Sequence, residues 1–335
     1  MGIYLNPDNE GFREAVGSEI YVDKSELLVY TNKVLGTEQK NICVSRPRRF
    51  GKSMAAKMLS AYYSKGCDSK KLFEKKRIAA HASYPEHLNK YNVIFLNVQN
   101  FLSNTNTVHN MIHSISLKVK TELLKEYVDL TGEKEDLLPE LLSNIYSKKK
   151  EKFVFIIDEW DCIFREKKVT EEGYAEYLDF LRNLLKDRTY VALAYMTGIL
   201  PIKKYGSHKV NSDEVRREDP LGGSALNMFT EFSMTNPRLL ADYVGFTKEE
   251  VMDLCERYGM DFDEAARWYD GYTFKRNAHI YSPKSVVDAM LNKEYDSYWS
   301  QTETYEALKI YIEMNFDGLR DSVIEMMAGA ELPID

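Results

Sequence analysis

Two short groups of residues carry the chemistry that this sequence can do. The first is Phe50-Gly51-Lys52-Ser53, set between the apolar run 42–44 and a helical pattern that opens at Lys52. A Gly-Lys-Ser group that starts a helix directly after a strand is the centre of a phosphate-binding loop. Gly51 lets the backbone approach a polyphosphate, and the amides of the helix N-terminus then point at the anion. Lys52 reaches the β- and γ-phosphates, while Ser53 offers its hydroxyl to Mg²⁺, whose octahedral shell also takes phosphate oxygens and water. The second group is Asp158-Glu159, at the end of the bulky apolar run Phe153-Val154-Phe155-Ile156-Ile157. A strand apolar on both faces belongs to a parallel sheet covered by helices, and ligands of such sheets sit at the carboxyl ends of the strands. Asp158 is expected to hold the Mg²⁺ shell through water, and Glu159 to orient or deprotonate an attacking water.

The full GxxxxGK(S/T) pattern wants a glycine where this chain has Arg46, followed by Pro47, Arg48, Arg49 and Phe50. Pro47 fixes its own φ and moves Arg46 out of the helical region, so the loop turns along a modified path. Arg48 and Arg49 add positive charge to a phosphate pocket. The nucleotide-binding candidates are therefore Arg46, Arg48, Arg49, Phe50, Gly51, Lys52 and Ser53, and the metal candidates Ser53 and Asp158. Set against this is a chance Gly-Lys-Ser with solvated arginines, and an acid pair that merely ends a strand; finding both groups in this order weighs against chance. Thr197, closing the run 191–196, stands where a polar residue senses a γ-phosphate in ATPases with a catalytic glutamate. A turn former ahead of Gly198 is the equal alternative. The catalytic candidates are Glu159, Lys52 and Thr197. Asp161 adds charge to the site or caps the next turn. No (N/T)KxD guanine-reading group follows the loop, since Thr31-Asn32-Lys33-Val34 precedes it and lacks the aspartate. The expected cofactors are ATP and Mg²⁺.

These groups need a scaffold, and the periodicities supply one. Strands are expected at 42–44, 93–98, 153–157 and 191–196, and helices at 25–35, 107–129, 135–149 and 171–186. Met54, Ala55, Met58, Leu59 and Tyr62 form a core stripe after Lys52, while 65–90 reads as charged and irregular. The lysines at 148–150 and 152 read as a helix end and solvated connection. Residues 207–223 form a polar loop rich in turn formers. Beyond it, Thr247-Lys248-Glu249-Glu250 is a capping box, Ser282-Pro283 opens a helix, and the aromatic turn 268–274 suits a small helical core better than base stacking.

With 335 residues and 44% hydrophobic content there is material for two domains. Forty-five Lys and Arg against 52 Asp and Glu give −7, so the chain does not coat nucleic acid by bulk charge and any such contact is local. Cys43, Cys67, Cys162 and Cys255 are scattered without CxxC spacing, which argues against zinc and disulfides and for free thiols in a reducing cytosol. No apolar stretch reaches membrane-spanning length, and the N-terminus lacks a basic region followed by an apolar one, so the expected location is cytoplasmic.

Several stretches together resemble one family: VDKSELL, CVSRPRRFGKSMAAKMLSAYY, IIDEWD, MTGILPIKKYG, SALNMFTEFSM, VGFTKEEVMDLC, WYDGY, IYSPKSVVDAM and YWSQTET. They are similar to the bacterial AAA-ATPase-like family, P-loop ATPases often joined to a C-terminal PD-(D/E)XK nuclease-like domain. The arginine-rich loop with Arg46 in the first position is that family's own form. The resemblance implies Lys52 and Ser53 as nucleotide and Mg²⁺ residues, Asp158 and Glu159 as the Walker B acids, and Thr197 as sensor. Two departures stand out: 208–223 intervene between KKYG and SALNMF, and the chain stops about where the nuclease-like domain would begin.

The expected fold is α/β, a P-loop NTPase parallel sheet of the additional-strand (catalytic glutamate) type, in which the Thr197 strand inserts between the Lys52 and Asp158 strands. A smaller, mainly helical domain follows. The division expected is an ATPase core over 1–206, the polar loop 207–223, and a helical lid or wing-like domain over 224–335, with Arg238, Arg257 and Arg267 as arginine-finger candidates by location. Mg-dependent ATP hydrolysis coupled to movement of the helical domain or a partner is the leading function. The rivals are a nucleotide-gated switch or scaffold, the ATPase part of a nucleic-acid-processing nuclease system, and a P-loop kinase, for which no acceptor site is evident.

Overall fold

A computed structural model describes residues 2–130, 137–166, 169–202, 226–234, 236–273 and 279–298. The chain divides into two compact units, Met1–Arg46 with Gly51–Ser233, and Pro47–Phe50 with Met234–Asp335. The polar loop expected at 207–223 lies outside the described residues.

The first unit is built on five parallel strands: β1 Asn41–Ser45, β2 Asn92–Asn97, β3 Phe153–Asp158, β4 Val191–Gly198 and β5 Thr230–Phe232. Their order is β2-β3-β4-β1-β5, so β4 lies between β1 and β3 as the additional-strand type requires. Every residue of β1, β3 and β4 is buried, which is why their sequences run apolar without alternation. Register then sets the functional ends. Asn97 pairs with Asp158, Ile157 with Met196, and Val44 with Thr197, so Asn97, Asp158 and Thr197 end neighbouring strands side by side.

The helix Lys52–Tyr63 follows β1 and buries Ala55, Ala56, Met58, Leu59, Tyr62 and Tyr63. Met54, expected in that stripe, is 40% exposed, because the buried arc centres on 55, 59 and 62 and turns 54 to its edge. Tyr63 donates to Asn32 Oδ1 at 2.8 Å and its hydroxyl lies 2.7 Å from Thr31 Oγ1, while Asn32 Nδ2 donates to Tyr62 at 3.1 Å. Thr31 and Asn32 are thus a buried polar link between this helix and the helix Leu27–Val34. The stretch 65–90 holds short helical turns, Lys70–Phe73, Arg77–Ala80 and Tyr84–His87, each too brief to show a period in sequence. The helix Leu138–Lys149 ends in Lys148 and Lys149, with Lys150 left-handed at its cap, where cations favour the helix dipole.

At the amino end of the sheet Glu151 accepts from Asn92 Nδ2 at 2.6 Å, Lys65 Nζ at 2.7 Å and the Tyr127 hydroxyl at 2.7 Å. Burial pushes its carboxyl up, but these three donors outweigh it and hold the pKa at about 2. A carboxyl held below its ordinary 4.5 stabilises the fold above that pH and loses the contribution as pH falls towards 2. Glu151→Gln should therefore flatten the dependence of the urea midpoint on pH across that window. With the side chain 37% exposed, the effect is expected to stay below about 1 kcal/mol.

The second unit contains β6 Phe246–Thr247, the helix Lys248–Tyr258, a turn through left-handed Gly259, the helix Phe262–Tyr269, then β7 Asp270–Thr273 and β8 His279–Tyr281. The helix Pro283–Asn292 follows. The strands pair antiparallel in the order β6-β8-β7, a small sheet beside two helices joined by the turn at Gly259. Thr247 and Glu250 form the expected capping box, with bonds of 2.8 and 3.4 Å. The aromatic stretch from Trp268 differs from a simple turn: Tyr269 closes a helix and 270–273 pair with β8, while Phe274 lies outside the described residues. Strands this short carry no period-two run to read.

Candidate functional site

Two left-handed residues shape the loop after β1, Arg49 at φ 67° and Gly51 at φ 86°. Gly51 is the N-cap of the helix Lys52–Tyr63, and a Cβ there would meet nothing within 4 Å. Glycine is therefore wanted for its backbone conformation and for the open ground it leaves in front of the helix amides. Lys52 is buried, 4% exposed, and Ser53 beside it is half-buried. Residues 47–50 group with the second unit; there Arg48 is half-buried, Arg49 exposed and Phe50 buried.

Arg46 sits where the phosphate loop begins, yet its side chain belongs to the sheet. It is fully buried, and its Nη1 donates to the carbonyls of Ser45 at 2.9 Å and Phe232 at 2.7 Å. Its amide donates to Gly198 at 3.0 Å, which extends the β1–β4 ladder by one bond. Burial brings the guanidinium down to about 10, with the Tyr195 hydroxyl opposing, and it stays charged at neutral pH.

The acids are gathered at the carboxyl ends of β3 and β4. Thr197 Oγ1 donates to Asp158 Oδ1, and Asn97 Nδ2 donates to Asp158 Oδ2 at 3.3 Å, so the carboxylate is held from both sides at 2% exposure. Glu159 adopts a left-handed backbone, φ 54°, which is costly for a residue with a Cβ and is held in place by Trp160 N donating to Thr197 O at 3.0 Å. Its carboxylate pairs with Arg165, from the short helix Cys162–Arg165. Arg165 Nε also lies 3.6 Å from Asp161 Oδ2. Asp161 is fully buried and accepts the amides of Ile199 at 2.9 Å and Leu200 at 2.7 Å, so it ties the turn after β3 to the end of β4. Gly198 is needed there, since a Cβ would come within 2.6 Å of Asp161 Oδ1 and Trp160 Nε1.

The electrostatics follow from this crowding. Burial lowers the Lys52 pKa; Glu159, Asp161 and Asp158 oppose that, and Arg165 adds to it. Burial raises the Asp161 pKa, against the pull of Arg165 and the two amides.

Lys52, Ser53, Asp158, Glu159 and Thr197 thus all lie in the first unit, at β1, β3 and β4. Asn97 and Arg165 were not singled out by sequence: Asn97 needs the β2–β3 register to be recognised, and Arg165 only the i,i+4 spacing from Asp161. The arginine-finger candidates lie in the second unit, where Arg257 pairs with Asp253 at 3.0 Å, Arg238 is left-handed and Arg267 is exposed. Among the described residues no group of three or more His, Cys, Asp or Glu stands ready to hold a metal. A hydroxyl and one carboxylate, Ser53 and Asp158, suit Mg²⁺, which takes one or two protein oxygens and fills the rest of its shell with phosphate and water.

A Gly-Lys-Ser helix N-terminus after β1, acids at the end of β3, and β4 between those strands define a P-loop ATPase fold with an additional strand. The chain belongs to the predicted AAA-ATPase family, whose model matches residues 12–207. An uncharacterized protein from the vnfD 5' region of Azotobacter chroococcum mcd 1 is 27% identical over 171 residues, covering 49% of this chain but only 30% of that relative. Among solved structures, the chain is similar to the Walker-type ATPase paby2304 of Pyrococcus abyssi at 12% identity and TM-score 0.39, covering 92% of this chain and 75% of that one. It is also similar to the ORC2 protein of Aeropyrum pernix at 11% identity and TM-score 0.35, covering 75% and 55%. AMPPCP-bound DnaA from Aquifex aeolicus gives 11% identity and TM-score 0.31 over 92% and 68%.

Proposed function

We propose that the chain binds ATP with Mg²⁺ and hydrolyses it, and that turnover is coupled to movement of the second unit or of a protein partner. The observation that carries this reading is the hydrogen bond that joins Thr197 to Asp158 at the ends of β4 and β3, next to β1, whose following loop opens a helix at Gly51-Lys52-Ser53. Lys52 binds the β- and γ-phosphates, and Ser53 and Asp158 hold the metal, which when bound offsets the charge that develops on the phosphoryl oxygens. Thr197 and Asn97 fix the Asp158 carboxylate. Glu159 orients a water and accepts its proton. All four cysteines are free thiols, in keeping with a reducing compartment such as the cytosol, and no helix among the described residues is long and apolar enough to cross a membrane.

The test is a calorimetric titration of the chain with ATP, with and without Mg²⁺, followed by turnover measurements on Glu159→Gln. Binding that strengthens with Mg²⁺, and turnover that falls by about a hundredfold or more in the variant, are expected. A folded chain that gives no heat with ATP overturns the reading. The Glu159–Arg165 pair favours one rival, a nucleotide-gated switch with little turnover, whose mark is tight binding with turnover indifferent to Glu159→Gln.

A nucleic-acid role gains little from the second unit. Residues 248–270 carry eight acids (249, 250, 253, 256, 261, 263, 264, 270) against Lys248, Arg257 and Arg267. A helix-turn-helix that reads duplex DNA has to meet phosphates with cations. Duplex DNA at 50 mM salt is expected to bind no better than about 10⁻⁴ M by anisotropy and to leave ATP turnover unchanged.

A further inference from the structure

We propose that Phe50 is a positioning residue that anchors the phosphate loop in the core of the second unit, so that nucleotide held at the Lys52 helix and the packing of that unit depend on each other. This rests on the ATP-binding reading given above and adds to it the residue through which the second unit is engaged.

The chain enters the second unit at Pro47 and leaves it at Gly51: Arg46 and Gly51 group with the first unit, Pro47–Phe50 with the second. Both ends of this excursion are fixed. Arg46 is tied to β5 through the Phe232 carbonyl and to β4 through that of Gly198, while Gly51 caps the helix Lys52–Tyr63. Between them Phe50 is flanked by two left-handed residues, Arg49 at φ 67° and Gly51 at φ 86°. Its side chain is 3% exposed and Arg49 beside it is exposed, so the ring is turned inward and the cation outward. So covered, the ring offers no free face to a nucleotide base.

Part of that cover is the main chain at Gly245, within the same unit. A Cβ there would lie 3.3 Å from Phe50 Cδ1 and 3.6 Å from Cε1, and would also collide with Ile280 Cγ2. Gly245 has φ 112°, a backbone that residues with a Cβ rarely adopt, and it leads directly into β6 and the helix Lys248–Tyr258. Val244 and Phe246 on either side of it are buried, and Ile280 is fully buried in β8. The missing side chain thus lets the aromatic ring lie against the main chain where the small sheet and its first helix begin. Loop amides face a polyphosphate only while the turns at Arg49 and Gly51 hold, and Phe50 stands between those turns. Settling the loop on phosphate therefore fixes the ring, and fixing the ring stiffens the run from Val244 to Phe246. By linkage, loosening that run weakens nucleotide binding by the same factor.

Hydrogen exchange on the full chain, read by mass spectrometry with and without saturating ATP and Mg²⁺, tests this. In the unaltered chain ATP is expected to slow exchange about tenfold at residues 52–56, which start the helix, and also at 246–258. Phe50→Ala should keep the first effect and reduce the second to within about twofold of its own ATP-free rate, with ATP affinity about tenfold weaker by calorimetry. Each comparison is made within one variant, so a second unit that is merely loosened does not mimic the result. Gly245→Ala meets the same contact from its other side and should reproduce Phe50→Ala, although it removes nothing from the loop. Phe50→Leu keeps much of the apolar contact and should give about threefold protection at 246–258. Thermal melts identify a variant that fails to fold. Protection at 246–258 that survives in folded Phe50→Ala overturns the inference, and so, where that variant does not fold, does full protection in Phe50→Leu. Protection confined to the first unit in the unaltered chain overturns it as well. Failure of the ATP-binding reading looks different: the unaltered chain then gives neither heat with ATP nor protection at 52–56, and the inference falls with it.

Discussion

Lys52→Met is expected to weaken ATP binding by about a hundredfold or more, roughly 2.7 kcal/mol, with little change in thermal stability. The residue opens the helix after β1 and is 4% exposed, so its charge acts through a poorly screened path on any phosphate held by the helix amides. Methionine preserves the buried stem while removing the ammonium. Desolvation of that ammonium offsets part of what its attraction to Glu159, Asp161 and Asp158 contributes, which is why the fold should tolerate the change. The same burial gives a pH signature. Burial lowers the Lys52 pKa, and only the protonated amine attracts phosphate, so ATP affinity should be full at neutral pH and decline as pH rises, earlier than an ordinary lysine at 10.5 would allow. Calorimetry from pH 7 to 10 on the unaltered chain checks this; in Lys52→Met the slope should vanish. Retained affinity in the variant would place the nucleotide elsewhere.

Much of this arrangement was legible in the sequence because it depends on local pattern. A fully buried strand is a run of bulky apolar residues, and the acids at 158 and 159 mark where that run stops, so their position at a sheet edge follows. The insertion of β4 between β1 and β3 was available only through the additional-strand fold type, since no local pattern states which strands pair. What sequence did not supply depends on register and on side-chain direction. Asn97 reaches Asp158 because β2 and β3 align at 97 and 158, and nothing in either strand alone announces that pairing. Asp161 left two readings open, charge in the site or a cap on the turn; in the structure it binds the amides of residues 199 and 200, distant in sequence. The small antiparallel sheet of the second unit escaped because its strands are two to four residues long, below the length at which alternation is visible.

Arg46 tests most directly what sequence position says against what the side chain touches. It occupies the first place of the phosphate-loop pattern, a position that by sequence alone places it among the nucleotide contacts. In the structure its main chain bonds β4 through Gly198, and its guanidinium bonds β5 through Phe232, so it joins both neighbours of β1 just beyond the point where the ladders end. Arg46→Met should therefore act on stability. Methionine fills much of the volume, but the carbonyls of Ser45 and Phe232 lose a charged donor in a fully buried setting, a loss of about 2–4 kcal/mol. A lower urea midpoint with unchanged slope is the expected result, together with ATP affinity within about threefold for the folded protein. Arg46→Lys, with a single point charge in place of a fork, should recover only part of the loss. If instead Arg46→Met melts like the unaltered chain and binds ATP tenfold or more weakly, the guanidinium serves the phosphates and the sheet merely houses it. The contrast with Lys52 gives the experiment its force: two buried cations six residues apart, one expected to govern binding without stability, the other stability without binding.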